Sequence, residues 1–136
     1  MIELNENVTK EMNKYLDGIT IEDILILNRK WFHFQVMFTR EQLMQDIEVL
    51  DLRTRAYNGL KRYGIRTLSD VVNGFETREG LSSKKQLLQI RNLGKNTAEE
   101  IIIKIFYYQF MVLSDEKKRA YMKQILEING IREMVK

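Results

Sequence analysis

The sequence contains no cysteine and no proline, and it has a single histidine, His33. The lack of cysteine excludes disulfides and thiolate metal sites, and one histidine excludes a multi-histidine metal centre. The absence of proline, with strong helix formers throughout, favours an all-α fold. No run of about 18 apolar residues free of charge occurs, so a membrane span is not expected. Residues 1–14 are polar and acidic, unlike a signal peptide. We therefore expect a cytoplasmic protein that needs no metal or cofactor.

Basic charge is concentrated in the middle of the sequence, although the net charge is only +3. Residues 52–96 hold 10 Lys and Arg but 3 Asp and Glu, whereas residues 1–51 hold 5 and 10. Such a segment is the electrostatic pattern of a protein that binds a polyanion. A solvated basic face would give the same charge distribution, so charge alone leaves both interpretations open.

Capping and turn residues divide the sequence into short helices. Thr20 with Asp23, and Thr39 with Gln42, have the spacing of helix N-terminal capping pairs. Gly64 suits the left-handed residue that follows a helix. The predicted helices cover residues 9–18, 24–38, 39–47, 52–63, 68–72, 84–90, 97–113 and 114–129, with a loop over 74–82.

Two parts of this prediction depend on apolar runs. Residues 24–38 are so apolar that a helix there should be buried on all sides, although a strand in part of the segment remains possible. Residues 106–113 are equally apolar, and we expect them to pack on Trp31, Phe32, Phe34 and Phe38 or to form a homodimer face. Of the two, packing within one molecule is favoured.

A turn near residue 94 has the layout of a helix-hairpin-helix. A helix that ends at Ile90 is followed by Leu93-Gly94, and Thr97 is expected to cap the next helix. Gly94 has no Cβ and lets another molecule approach the backbone. The unpaired N–H groups and the dipole at the start of that helix favour an anion, and Lys95 adds a positive charge. An ordinary corner between two helices would look the same.

A second group of residues suits a DNA groove. Arg55 and Asn58 are three positions apart and share a helix face, with Gly59 beside them. Arginine is attracted to the negative potential of a narrow A·T-rich minor groove, and asparagine can bond the acceptors there. Taken alone, the two side chains could simply be exposed polar residues.

Three motifs follow one another in the middle of the sequence: DLRTRAYNGLK at 51–61, GIRTLSDVV at 64–72 and NLGKNTAEEI at 92–101. With these motifs in this order, residues 47–105 resemble the C-terminal domain of the bacterial RNA polymerase alpha subunit. The resemblance implies a compact all-α module that contains a helix-hairpin-helix, flanked here by additional helical parts at residues 1–46 and 106–136.

The resemblance also implies a DNA-binding surface and a weaker protein-binding one. In the family, the residues that match Asp51 touch sigma factor or activators, and Arg53 beside it is a second candidate for a protein contact. The candidate DNA-binding residues are Arg55, Asn58, Gly59, Lys61, Gly94, Lys95, Asn96, Thr97 and Glu100.

The sequence departs from the family pattern at three places. Asn96 stands where the family has a second hairpin lysine, which removes one phosphate-pairing charge. Arg53 replaces a small polar residue and could restore charge nearby. Residues 74–86 form a longer connection, in which Lys84 and Lys85 are additional basic groups.

These observations favour a DNA-binding, transcription-associated protein that contacts A·T-rich minor grooves and has no enzymatic activity. The alternative is an adaptor that binds sigma factor, RNA polymerase or a regulator, with weak or no DNA binding. An enzyme such as a repair protein is disfavoured because no nucleophile pattern, metal cluster or acidic dyad supports catalysis. His33 has no partner in the sequence that would make it a catalytic base.

Overall fold

The computed structural model describes residues 6–27, 32–77, 80–81 and 94–130. At residues 27, 73–77, 80–81 and 95–96 it describes the backbone but not the side chains. Apart from two short strands, the regular structure of the described residues is helical, so the predicted all-α fold is confirmed. Two short strands, β1 (Glu76–Thr77) and β2 (Gly80–Leu81), pair antiparallel. The helices are α1 (Glu6–Asn13), α2 (Ile21–Leu27), α3 (Arg40–Leu43), a 3-10 helix (Ile47–Leu50), α4 (Thr54–Arg62), α5 (Leu68–Phe75), α6 (Lys95–Met111) and α7 (Asp115–Ile128).

Helix α4 ends in the manner that its glycine predicts. Gly64 has φ +92°, a left-handed conformation that costs a residue with a Cβ more than it costs glycine. The Gly64 N–H donates to the Lys61 carbonyl at 3.1 Å, and the Ile65 N–H donates to the Leu60 carbonyl at 2.9 Å. This pair of bonds is a Schellman motif, which satisfies the last carbonyls of the helix. Ile65 and Leu60 are both buried, so the turn also contributes to the core.

The 3-10 helix joins α4 to the rest of the fold. Its start is held beside the loop before α5, where the Ile47 N–H donates to the Arg66 carbonyl at 2.9 Å. The Leu68 N–H donates in turn to the Gln45 carbonyl at 3.0 Å. Ile47 and Leu50 are buried, and α6 packs against both the 3-10 helix and α4. The first half of α6 therefore closes the core formed by the middle of the sequence.

The second half of α6 carries a cluster of aromatic rings. The Phe106 ring lies 5.0 Å from the Phe32 ring and 5.2 Å from the Phe34 ring, measured between centroids. Tyr108 contacts Phe38 at 5.5 Å, and Tyr121 of α7 contacts Phe106 at 6.2 Å. The predicted packing of residues 106–113 within one molecule is thus confirmed for these rings, while Trp31 lies outside the described residues.

Side chains of α6, of α7 and of its C-cap residue Asn129 bond the irregular segment 32–38. The Asn129 amide accepts from the His33 N–H at 3.0 Å and donates to the His33 carbonyl at 2.9 Å. The Tyr121 hydroxyl donates to the Gln35 carbonyl at 2.8 Å, and Gln109 accepts from the Met37 N–H. These bonds satisfy main-chain groups that a helix or sheet would otherwise satisfy.

The same bonds explain why the helix predicted over residues 24–38 is wrong. Helix α2 ends at Leu27, and the described residues 32–38 form neither helix nor strand. Phe32 and Phe34 are buried, while the residues between and after them are more exposed. Because distant side chains bond the backbone and the core takes the phenylalanines, the segment is stable without regular structure.

Other predicted boundaries also need correction. Helix α5 does not break at Asn73 but runs through Gly74 to Phe75, and the predicted loop contains β1 and β2. One glycine in a helix costs only about 1 kcal/mol relative to alanine, which packing of the buried Leu68 and Val71 can offset. The first helix covers 6–13 rather than 9–18, and α3 ends at Leu43. The predicted helix over 84–90 lies outside the described residues.

The local capping predictions are confirmed at both threonine pairs. The Asp23 N–H donates to the Thr20 hydroxyl at 3.2 Å, and the Thr20 N–H donates to the Asp23 carboxylate at 3.3 Å. Thr39 and Gln42 make the same reciprocal pair at the start of α3. Helix α7 ends where predicted, before Gly130 with φ +74°.

Asp70 gives the first testable prediction. The Arg66 and Thr67 N–H groups donate to one of its carboxylate oxygens, at 2.9 and 3.1 Å, and these bonds lower the Asp70 pKa below 3.8. A lowered folded-state pKa stabilises the fold above the unfolded pKa, and the effect disappears as the pH falls through the folded value. We expect Asp70→Asn to cost on the order of 1 kcal/mol at pH 7 and less at a pH below the folded-state pKa of Asp70, measured by urea unfolding. An equal cost at both pH values would contradict this account.

Candidate nucleic-acid interface

Helix α4 has one apolar side and one exposed polar side. Ala56 and Leu60 are buried and lie four positions apart on the core side. Arg55 and Asn58, three positions apart, are both exposed. Gly59 is half-buried next to them. The two side chains that the sequence assigns to a groove are therefore neighbours on a solvent-facing surface.

The start of α6 is open to solvent. Gly94 is the N-cap residue, is exposed, and has extended backbone angles of φ −77° and ψ 169°. The helix start lacks a side-chain cap among the described residues, and a Cβ built at Gly94 would meet none of their atoms within 4 Å. The first N–H groups of a helix have no partner within it and carry its positive dipole end. This end of α6 therefore offers space and polarity suited to an anion.

The helix start differs from the sequence prediction. Thr97 is not the cap but the third residue of α6, and it is half-buried. Glycine is an accepted N-cap residue, so the helix begins earlier, after Gly94. Lys95 and Asn96 are the first two residues of α6, which places them beside the open helix end.

Glu100 connects the two halves of the candidate surface. Its side chain is largely buried, with the residue 8% exposed. One carboxylate oxygen accepts from the Arg53 N–H at 2.9 Å, and the other lies 3.8 Å from the Arg53 Nε. Because Arg53 is the N-cap of α4, this contact attaches the start of α4 to α6. Glu100 lies about 8 Å along the α6 axis from Lys95, the first residue of that helix. The structure thus brings the start of the Arg55 helix close to the Gly94 turn.

Lys61 is engaged by a carboxylate that the sequence did not identify. Its ammonium pairs with Asp46 at 2.5 Å and lies 5.2 Å from the centroid of the Tyr57 ring. The hydrogen bond between them raises the Lys61 pKa and lowers the Asp46 pKa. Fifteen residues separate the two groups, and no local spacing rule joins them. Lys61 is consequently less available to a phosphate than an unpaired lysine would be.

The candidate protein-contact residue Asp51 lies at the end of the 3-10 helix. It is exposed and has φ +54°, the only positive φ at a non-glycine residue in the described part of the protein. Its N–H donates to the Glu48 carbonyl at 3.1 Å, and Glu48 is also exposed. We call these two exposed acidic residues, which precede Arg53 in the sequence, the acidic corner.

Other functional groups are few among the residues that the structure describes. No three side chains of His, Asp or Glu come together there to hold a metal ion. No helix formed by those residues has the length and apolar character to cross a membrane. His33 uses its main-chain groups to bond Asn129 and lies at the aromatic end of the fold.

Comparison with known proteins identifies the family to which the protein is similar. Residues 37–106 match the family model for the C-terminal domain of the bacterial RNA polymerase alpha subunit. The matched residues include α4, α5, the Gly94 turn and the first part of α6. The residues of this range that the structure describes are mostly helical.

Individual relatives agree with this match. The protein is 42% identical over 82 residues to the DNA-directed RNA polymerase subunit alpha of Mycoplasmoides gallisepticum, which is 60% of this sequence and 22% of the relative. It is 32% identical over 102 residues to the subunit alpha of Heliobacterium modesticaldum, covering 71% of this sequence and 28% of the relative. The protein therefore spans about a quarter of the length of these relatives. No solved structure matches it.

The protein belongs to the RNA polymerase alpha C-terminal domain family. This membership supports a role associated with transcription. Helices α1, α2 and α7 lie outside the residues that the family model matches.

Proposed function

We propose that the protein binds double-stranded DNA, with the exposed face of α4 and the open start of α6 on an A·T-rich minor groove. Arg55 would enter the groove, where the negative potential is greatest, and Asn58 would bond base-edge acceptors. The N–H groups after Gly94 would bind a phosphate, with Lys95 close by. One observation carries this proposal: Glu100 attaches the start of α4 to α6, so that both elements can meet one ligand.

The other candidate residues contribute in different ways. Gly59 and Gly94 leave room for close approach of the DNA backbone. Asn96 and Thr97, in the first turn of α6, would add hydrogen bonds to phosphate or sugar oxygens. Lys61 would contribute mainly through its general positive field because Asp46 pairs with it.

Fluorescence anisotropy with labelled duplexes tests the proposal directly. Titrations with an A-tract duplex and a G·C-rich duplex of equal length should show tighter binding to the A-tract. Binding should also weaken as salt rises, because neutralised phosphates release counterions. Negligible binding to both duplexes at low salt would rule out the DNA-binding function.

Glu100 provides a prediction that separates positioning from simple electrostatics. Removing a carboxylate near DNA should strengthen binding if charge alone mattered. We instead expect Glu100→Ala to weaken A-tract binding several-fold, because the bond from the Arg53 N–H, which helps to hold the start of α4 against α6, is lost. The control is Glu100→Gln, which keeps an acceptor and removes the charge, and which should bind at least as well as the wild type. Tighter binding by both variants in anisotropy titrations would refute the positioning role.

The acidic corner supports a second candidate function, an adaptor that binds sigma factor or RNA polymerase. Asp51 and Glu48 are both exposed, and Asp51 has the left-handed backbone conformation of a turn. The adaptor predicts that polymerase subunits are recovered with the tagged protein after nuclease treatment and that Asp51→Lys abolishes this recovery. Recovery that disappears on nuclease treatment would instead indicate an association through DNA.

A further inference from the structure

Three of the basic residues in and around α4 lie close to carboxylates of the same molecule. Arg53 pairs with Glu100, and Lys61 pairs with Asp46. Arg66 is close enough to Asp46 and Asp70 to lower the pKa of each carboxyl group. These three cations are therefore partly neutralised from within the protein.

Arg62 differs from these three. It lies in the last turn of α4 and is exposed. Among the described residues, no carboxylate forms an ion pair with Arg62 or with Arg55. Arg55, Asn58 and Arg62 follow one another at spacings of three and four residues, so they form a single row along one face of α4.

The length of this row suits the edge of a duplex groove. Seven residues of helix separate Arg55 from Arg62, a rise of about 10 Å. The minor groove of B-DNA is about 6 Å wide, so a helix that places one end in the groove carries its other end over the bordering phosphates. An arginine there meets the planar oxygen pairs that its guanidinium binds best.

We propose that Arg62 is a further DNA-binding residue, one that contacts a backbone phosphate beside the groove that Arg55 enters. This inference rests on the proposed DNA-binding function and extends its contact surface to the C-terminal end of α4. A phosphate contact adds affinity without sequence preference, whereas a contact in the groove adds affinity and sequence preference together.

Anisotropy titrations of Arg62→Ala at several salt concentrations test this role. We expect affinity to fall roughly three- to tenfold and equally for the A-tract and G·C-rich duplexes. The slope of log K against log salt should become shallower by about 0.9, the value for one phosphate neutralised. Arg62→Lys, which keeps the charge, should restore the slope. Lys123→Ala on α7, an exposed position outside the α4 row, is the charge-matched control and should change the slope less.

The possible outcomes distinguish the two proposals. If the wild type binds and Arg55→Ala weakens it, but Arg62→Ala matches the Lys123→Ala control, the phosphate contact is refuted and the DNA-binding function stands. If Arg62→Ala instead changes the preference between the duplexes, Arg62 contacts bases and the phosphate role is wrong. If the wild type binds neither duplex, the proposed function itself fails.

Discussion

Replacing Arg55 with alanine should weaken binding to an A-tract duplex by about 1–3 kcal/mol, or roughly five- to 150-fold. The Arg55 side chain is exposed, and no carboxylate in the described residues competes for it. Its guanidinium would replace solvent in the narrow groove, where the negative potential is concentrated. Because alanine is the best helix former, α4 should keep its structure.

Three measurements test this prediction for Arg55→Ala. Anisotropy should show a larger loss on the A-tract duplex than on the G·C-rich duplex. Arg55→Lys should fall between the wild type and Arg55→Ala, because it keeps the charge but loses the planar fork of donors. Circular dichroism and urea unfolding should match the wild type. Unchanged affinity of Arg55→Ala would remove Arg55 from the interface.

Phe106→Ala should cost about 3–5 kcal/mol of unfolding free energy, the largest stability effect that we expect from a single substitution. Phe106 is fully buried and contacts the rings of Phe32, Phe34 and Tyr121. Truncation would leave a cavity between three elements that cannot all move inward, because Tyr121 is also bonded to the segment 32–38. Urea unfolding at pH 7 measures the loss.

Two variants keep this prediction informative if Phe106→Ala does not fold. Phe106→Leu fills most of the cavity and should lose less stability than Phe106→Ala. Met111→Ala, in the same helix at a position 44% exposed, should cost less than about 1 kcal/mol. A loss at Phe106 no greater than that at Met111 would show that the aromatic cluster does not stabilise the fold.

The sequence predicted the features that depend on neighbouring residues. The capping pair at Thr20 and Asp23 needs only a three-residue spacing, and the turn at Gly64 needs only a residue that tolerates positive φ. Helix periodicity likewise identified Arg55 and Asn58 as neighbours on one face. These signals are local, so they can be read without knowledge of the fold.

The features that the sequence could not predict depend on distant partners. Residues 32–38 avoid a helix because Asn129, almost one hundred positions away, bonds the His33 main-chain groups. Glu100 resembles a DNA contact in the motif, but its bond to Arg53 across 47 positions becomes visible only in three dimensions. The pairing of Lys61 with Asp46 has the same character.

Helix α6 joins the Gly94 turn at its start to the aromatic cluster in its second half. Its 17 residues span about 25 Å, from the open turn at Gly94 to the aromatic rings beside Met111. Only six positions separate Glu100, which bonds Arg53 at the start of α4, from Phe106, which contacts Phe34 and Tyr121. If DNA binds only the form in which these rings are packed, as the proposed function would have it, binding stabilises that packing, and loosening of the rings lowers the apparent affinity in return. On the proposed function, residues of the aromatic cluster would thus help to determine the affinity at the Gly94 turn without contacting the ligand.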